Sequence, residues 1–309
     1  MRMNSILRSL LLASLLLSRV VYGDVWDEAE HGFAQNGEVS IHYATVGEGP
    51  LVVMIHGFPD FWYSWRDQME ELQDNFKVVA IDQRGYNRSS QPQQEEEYAM
   101  QHLTADVAAV IRHLGEESAT IVGHDWGGIV SWQFAFGYPE MVDKLIILDM
   151  PHPDGLAREL ATNQEQYANS AYARTFINGS PADPGVFFGN PMTAQTLSGW
   201  VSDATARERY VAAFERSNFA GMLAYYKQNY PRVDSVSSLP EPAPKLNVPL
   251  LVIHGMQDIF LLSDGLNNTW NWNDAETMIL TIPSAGHFVQ QDASDLVSST
   301  MKFWLLANP

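Results

Sequence analysis

The strongest chemical pattern in the sequence is Gly123-His124-Asp125-Trp126-Gly127-Gly128, a Gly-x-Asp-x-Gly turn between an apolar run and a helix-like segment. Small residues beside a central acid permit a tight, strained strand-to-helix turn that lifts the tip side chain above the sheet. A carboxylate there sits at a helix N-terminus, where aligned peptide dipoles stabilise negative charge. Two uses are open to it: Asp125 caps the helix, or it is a covalent nucleophile. Farther on, Ser284-Ala285-Gly286-His287-Phe288 follows the last strand-like run, and His254-Gly255-Met256-Gln257-Asp258 follows the run before it. His287 is a candidate general base, and Asp258 a candidate to orient it through Nδ1–H. Asp149, after the preceding strand, is the rival acid; Gly-x-x-Asp after the later strand is the commoner arrangement and favours Asp258. The order nucleophile, acid, histidine shifts Asp125 from cap to nucleophile. His56-Gly57-Phe58-Pro59 also directly follows a buried-strand candidate.

These residues need a sheet to hold them. Leu51 to Ile55, Lys77 to Ile81, Ala119 to Val122 and Leu145 to Leu148 are short, mostly apolar runs suited to strands buried on both faces. Val39 to Thr45 alternates like an edge strand. Leu103 to Leu114 and Ile129 to Phe136 read as helices. From about His152 to Lys245 the buried-strand texture disappears, and helical patches fall at Arg158–Phe176, Thr193–Ser198 and Ala204–Tyr226. Pro240, Pro242 and Pro244 close this stretch like a linker. Strand pattern resumes at Pro249–His254 and Met278–Ile282, and an apolar helix spans Asp295 to Leu306. The pattern predicts an α/β fold: a mostly parallel sheet over residues 24–150 and 246–309, with a helical insertion at 151–245 after the sixth strand. The candidate site residues then lie at carboxyl ends of strands, where open α/β sheets place their sites.

On these landmarks the sequence resembles an epoxide hydrolase of the α/β-hydrolase superfamily. His56-Gly57-Phe58-Pro59, Asp82-Gln83-Arg84-Gly85-Tyr86, the Asp125 elbow and Gly286-His287 all match that family, over nearly all of the chain after residue 35. The resemblance implies a helical cap carrying two tyrosines that hydrogen-bond the epoxide oxygen. Tyr172-Ala173-Arg174-Thr175-Phe176 resembles the first motif. Gly221 to Lys227 resembles the second, and the basic residue after it selects Tyr226 over Tyr225. The fold further implies that the backbone N–H groups of Phe58 and Trp126 form an oxyanion hole. Trp62 and His56 are expected at the substrate pocket. Asn87 departs from the family's glycine at its position, and Lys227 replaces arginine; neither change removes a reacting group. The implied reaction opens an epoxide to a vicinal diol through an ester on Asp125, with water as co-substrate and no metal or organic cofactor. The nearest alternative, a haloalkane or haloacid dehalogenase, shares the aspartate. Phe58, where many haloalkane dehalogenases carry asparagine, and Trp126, where fluoroacetate dehalogenases carry arginine, speak against it.

Composition narrows the partners. With 37 acidic and 18 basic residues among 309, the net charge is −19, which repels nucleic acid and disfavours strongly anionic substrates. A small apolar substrate suits the chain better. There is no cysteine, hence no thiolate nucleophile or disulfide. Arg2 and Arg8, the run Leu10 to Leu17, and Val21 and Gly23 before Asp24 read as a secretory signal, residues 1–23, cut between Gly23 and Asp24. That predicts a secreted or periplasmic protein with no membrane span once the signal is removed. Asn87, Asn178 and Asn267 each begin an Asn-x-Ser/Thr triplet.

Overall fold

The computed structural model describes residues 24–308; the expected signal, residues 1–23, lies outside them. Eight strands form one sheet: β1 Glu30–Asn36, β2 Val39–Val46, β3 Leu51–Ile55, β4 Lys77–Ile81, β5 Ala119–His124, β6 Val142–Leu148, β7 Leu250–Gly255 and β8 Thr277–Ile282. Their order across the sheet is β1-β2-β4-β3-β5-β6-β7-β8. The β1–β2 and β2–β4 pairs are antiparallel and all others parallel. The five residues of β3 and the six each of β5 and β7 are wholly buried, the reason those runs carry so little polar alternation.

Val39–Val46 is not the edge. It pairs on its other side with β1 in a hairpin whose register brings Asn36 opposite Val39 across Gly37-Glu38. Only Ala34 of β1 is buried, so the outermost strand has too weak an apolar pattern to be seen in the sequence.

Helices flank the sheet: α1 Val25–Glu28, α2 Arg66–Leu72, α3 Met100–His113 and α4 Trp126–Gly137. Six more, α5 Pro153–Thr162, α6 Gln164–Asn169, α7 Ala171–Asn178, α8 Ala194–Leu197, α9 Ala204–Phe214 and α10 Phe219–Asn229, lie between β6 and β7 as a cap. After β8 come α11 Val289–Asp292 and α12 Ser294–Ala307. The helical stretch expected at 158–176 is broken twice. Asn163 turns its side chain onto the N–H groups of Glu165 and Gln166 and starts α6 afresh, and Ser170 separates α6 from α7. The stretch expected at 204–226 is likewise two helices, with Asn218 as N-cap of α10.

The cap is tied to the core by buried polar contacts. The Tyr210 hydroxyl of α9 donates to Asp60 at 2.6 Å. Burial pushes the Asp60 carboxyl up to about 7 against the opposing effect of Tyr210 and the Phe61 N–H. The Tyr225 hydroxyl of α10 donates to the Arg84 carbonyl at 2.9 Å. Arg84 in turn forks onto both oxygens of Asp106 on α3, at 2.6 and 2.7 Å, and so fixes the loop after β4.

Candidate active site

Asp125 stands between β5 and α4 at φ +51 and ψ −119, a conformation that L residues rarely hold. Although it occupies the N-cap position, its side chain makes no capping hydrogen bond. The carboxylate turns outward instead. Oδ1 accepts the Phe58 N–H at 2.7 Å, and Oδ2 lies 3.5 Å from His287 Nε2. The turn has no room for side chains around it. A Cβ on Gly127 would lie 2.0 Å from the Ile55 carbonyl, and one on Gly57 would lie 2.5 Å from the Asp125 side chain. Trp126 is the first residue of α4, so its backbone N–H has no partner within the helix.

His287 bridges two acids. Its Nδ1–H donates to Asp258 Oδ2 at 2.8 Å. The second oxygen of Asp258 accepts the N–H groups of Phe260 and Leu261 at 2.7 and 3.1 Å. Burial alone would discharge both groups. The attraction between them, with the Asp125 contact, holds His287 well above its ordinary value and Asp258 below its own. His124 steadies the base from behind: its Nε2–H donates to the His287 carbonyl at 2.6 Å.

Asp149 does not touch His287. Its oxygens accept the N–H groups of Gly255 at 2.7 Å and Val289 at 3.1 Å. It therefore clamps the loops that carry the acid and the base. Burial, reinforced by the charge of Asp258, pushes it well above its ordinary value. Asp149, His254 and Asp258 each offer one atom within 4.8 Å of the others, the one grouping among the described residues that could hold a metal ion. With both Asp149 oxygens engaged by backbone N–H groups and Asp258 committed to His287, that grouping is a poor fit for a cation.

A cavity of about 260 Å³ opens over Asp125 and His287. Tyr172 on α7 and Tyr226 on α10 both face it, with ring centroids 6.1 Å apart. Tyr226 packs edge-on against Trp126 at 4.8 Å and Phe58 at 5.6 Å. Burial, and the charge of Asp125, raise both phenols well above their ordinary value, so both stay neutral donors. Tyr225 points into the core instead.

Two expected pocket residues lie elsewhere. Trp62 is buried against Trp26, its N–H donating to Asp82 at 3.1 Å. His56 lies beneath the Phe58 loop: Nδ1–H donates to the Gly57 carbonyl at 2.7 Å and Nε2 accepts the Gln83 N–H at 3.1 Å. Burial presses its pKa down to about 4, so it serves as a neutral brace. Neither lines the cavity. The walls are aromatics that sequence reading missed: Phe176, Phe187 and Phe188 from the cap, Phe260 two residues after Asp258, and Trp200 stacked on Phe288 at 3.7 Å and 6°. The positions of Phe260 and Phe288 beside the acid and the base were the available signal.

The alpha/beta hydrolase fold family matches residues 50–294. The chain is 34% identical over 289 residues to "Epoxide hydrolase 1" of Caenorhabditis elegans, covering 87% of this chain and 68% of that one. It is 30% identical to "Epoxide hydrolase 4" of Mus musculus, covering 83% and 74%. Among solved structures, the Bacillus megaterium epoxide hydrolase in complex with an inhibitor superposes with a TM-score of 0.80 at 31% identity, over 89% of this chain and 99% of that one. With its eight-stranded sheet, its helical cap and these relatives, the chain belongs to the α/β-hydrolase fold family and, within it, to the epoxide hydrolases.

Proposed function

We propose that this protein opens a small apolar epoxide to its vicinal diol by forming and then hydrolysing an ester on Asp125. One observation carries this reading. The Asp125 carboxylate declines its helix-capping bond and faces a cavity that two neutral phenols share.

In the first step an Asp125 oxygen attacks an epoxide carbon. Negative charge develops on the departing ring oxygen, and the Tyr172 and Tyr226 hydroxyls donate to it. A proton from a tyrosine completes the alcohol. In the second step His287, held by Asp258, removes a proton from water, and the hydroxide attacks the ester carbonyl. The Phe58 N–H already sits on an Asp125 oxygen at 2.7 Å, so with the Trp126 N–H it is placed to hold the tetrahedral oxyanion. Collapse releases the diol and restores the carboxylate.

The electrostatics time the two steps. In the free enzyme two carboxylates raise His287, which favours its imidazolium form. Esterification removes the charge of Asp125. The desolvation that opposes protonation then weighs more heavily, so His287 gives up its proton, which restores the tyrosinate left by ring opening, and it becomes a base when a base is needed; the proton it takes from water returns it to its starting form.

Asp125→Asn should abolish diol formation, and His287→Gln should accumulate a protein heavier by the mass of the epoxide. Normal turnover in both variants sinks the mechanism. A dehalogenase reading would need halide donors in the cavity; release of halide from haloalkanes without diol formation from epoxides would revive it. We also propose that residues 1–23 direct export and are cut before Asp24, which the intact mass of the exported protein tests. No helix among the described residues is long and apolar enough to cross a membrane.

A further inference from the structure

A second pocket of about 370 Å³ opens where the cap meets the core, lined by Trp26, His31, Trp62, Asn87, Arg88 and Arg216. None of these takes part in the ester chemistry. The pocket straddles a joint. The Asn87 N–H donates to Ser217 Oγ at 2.8 Å, and the Asn218 N–H to the Gly85 carbonyl at 2.9 Å. Arg88 reaches it from the core loop after β4, and Arg216 from the turn between α9 and α10.

The charges around this pocket are unbalanced. Arg88 and Arg216 are both exposed, and neither forms an ion pair among the described residues. Arg216 spends Nε and one Nη2 proton on Asn87 Oδ1, at 3.0 and 2.8 Å, which leaves guanidinium donors free. The nearby carboxylate, Asp82, is fully committed. It accepts from His42 at 2.6 Å, Asn87 Nδ2 at 2.8 Å and the Trp62 N–H at 3.1 Å. His42 passes the chain on to His31, with ring nitrogens 3.0 Å apart. Arg88 directs one Nη toward His42 Nε2 at 3.4 Å and lies over the Phe33 ring, which leaves its other donors free, so two guanidiniums line one space beside a carboxylate that is already hydrogen-bonded, in a chain of net charge −19. Like charges so placed repel unless an anion lies between them. Guanidinium forks are shaped for planar oxyanions. The partly exposed Trp26, stacked on Trp62 at 5.6 Å and carrying the Arg209 guanidinium 4.8 Å from its ring centroid, supplies an aromatic wall.

We propose that this pocket binds a small aryl oxyanion, its charged head held between Arg88 and Arg216 and its ring against Trp26. Because one arginine belongs to the core and the other to the cap, occupancy pins the joint between them.

The probe is 2-naphthoate, titrated calorimetrically into the full chain. The expected result is saturable binding at one site, absent with the neutral 2-naphthamide. Arg88→Gln and Arg216→Gln should each weaken it at least about tenfold, the worth of one charge-assisted hydrogen bond. Both positions are exposed, and thermal midpoints of the free variants check folding; each variant stands in for the other should one fail. Binding here should leave KM for an epoxide unchanged. The proposal is overturned by absence of saturable binding, by equal affinity for the amide, by unchanged affinity in the two variants, or by competition with the epoxide, which would place the probe in the catalytic cavity.

Discussion

Removing one hydroxyl from the cap gives the sharpest test of the two-step chemistry. Tyr226→Phe deletes a single oxygen and keeps the ring. The edge-on contacts with Trp126 at 4.8 Å, Phe176 at 4.9 Å and Phe58 at 5.6 Å all survive, so the pocket should keep its shape. What is lost is a hydrogen bond from a neutral phenol to a developing alkoxide in a site of low polarity. Hydrogen bonds to charged groups are worth about 1.5–3 kcal/mol. At about 1.4 kcal/mol per decade, ester formation should slow by roughly 10- to 150-fold. Tyr172→Phe should behave alike, and the double variant should lose roughly 10²- to 10⁴-fold because no donor remains. The assay isolates the step. In a His287→Gln background the ester does not turn over, and rapid quench with intact-mass detection reads its rate of formation. Ester forming at an undiminished rate in the double tyrosine variant, while steady-state diol production falls, would refute the assignment and move the tyrosines to the second step.

Three further outcomes follow from the geometry. Gly57→Ala should leave the fold intact yet reduce diol formation by at least about a hundredfold, since its Cβ would sit 2.5 Å from Asp125 and displace the reacting carboxylate; a variant that folds and turns over normally contradicts the close approach. Asp149→Ala should lower unfolding free energy by about 2–5 kcal/mol in denaturant titration, because the N–H groups of Gly255 and Val289 are left buried without acceptors. Stability should also fall on acidification between about pH 6.5 and 4. Burial holds His56, His124 and His254 down to about 4, so the unfolded chain binds more protons than the folded one in that window. Asp60, raised to about 7, and Asp149, raised well above its ordinary value, both by burial, work in the opposite direction, but His152, held down to about 3, joins the other histidines, so four imidazoles outweigh two carboxyls. A denaturation midpoint that is flat or rises as pH falls through that range would show that the histidines find partners on protonation.

Asp125 and Asp258 were legible because each follows a wholly buried strand, and buried strands announce themselves by unbroken apolar runs; His287 follows β8, which is only partly buried but keeps a readable apolar run from Met278 to Ile282. Asp125, Asp258 and His287 therefore stood out, and the geometry separated Asp258 from Asp149 by a direct 2.8 Å bond to the base. The cap was legible as a region but not in its individual helices. Its breaks depend on side chains such as Asn163, whose bonding to the backbone leaves no periodic trace. The pocket walls were hardest. Trp62 and Phe188 are both large aromatics in connecting segments outside the sequence motifs. One is sealed into the core and the other is half exposed at the cavity, and only long-range packing distinguishes them. Strand β1 was invisible because a solvent-facing outermost strand has little reason to be apolar.

The stack between Trp200 of the cap and Phe288 carries a consequence for turnover timing. Phe288 is the chain neighbour of the general base, so the ring contact between cap and core and the backbone that aims His287 are coupled. A ligand large enough to part the two rings would also disturb the loop that aligns His287 for proton transfer. Bulk on the Trp200 side of the cavity should therefore slow hydrolysis of the ester more than its formation.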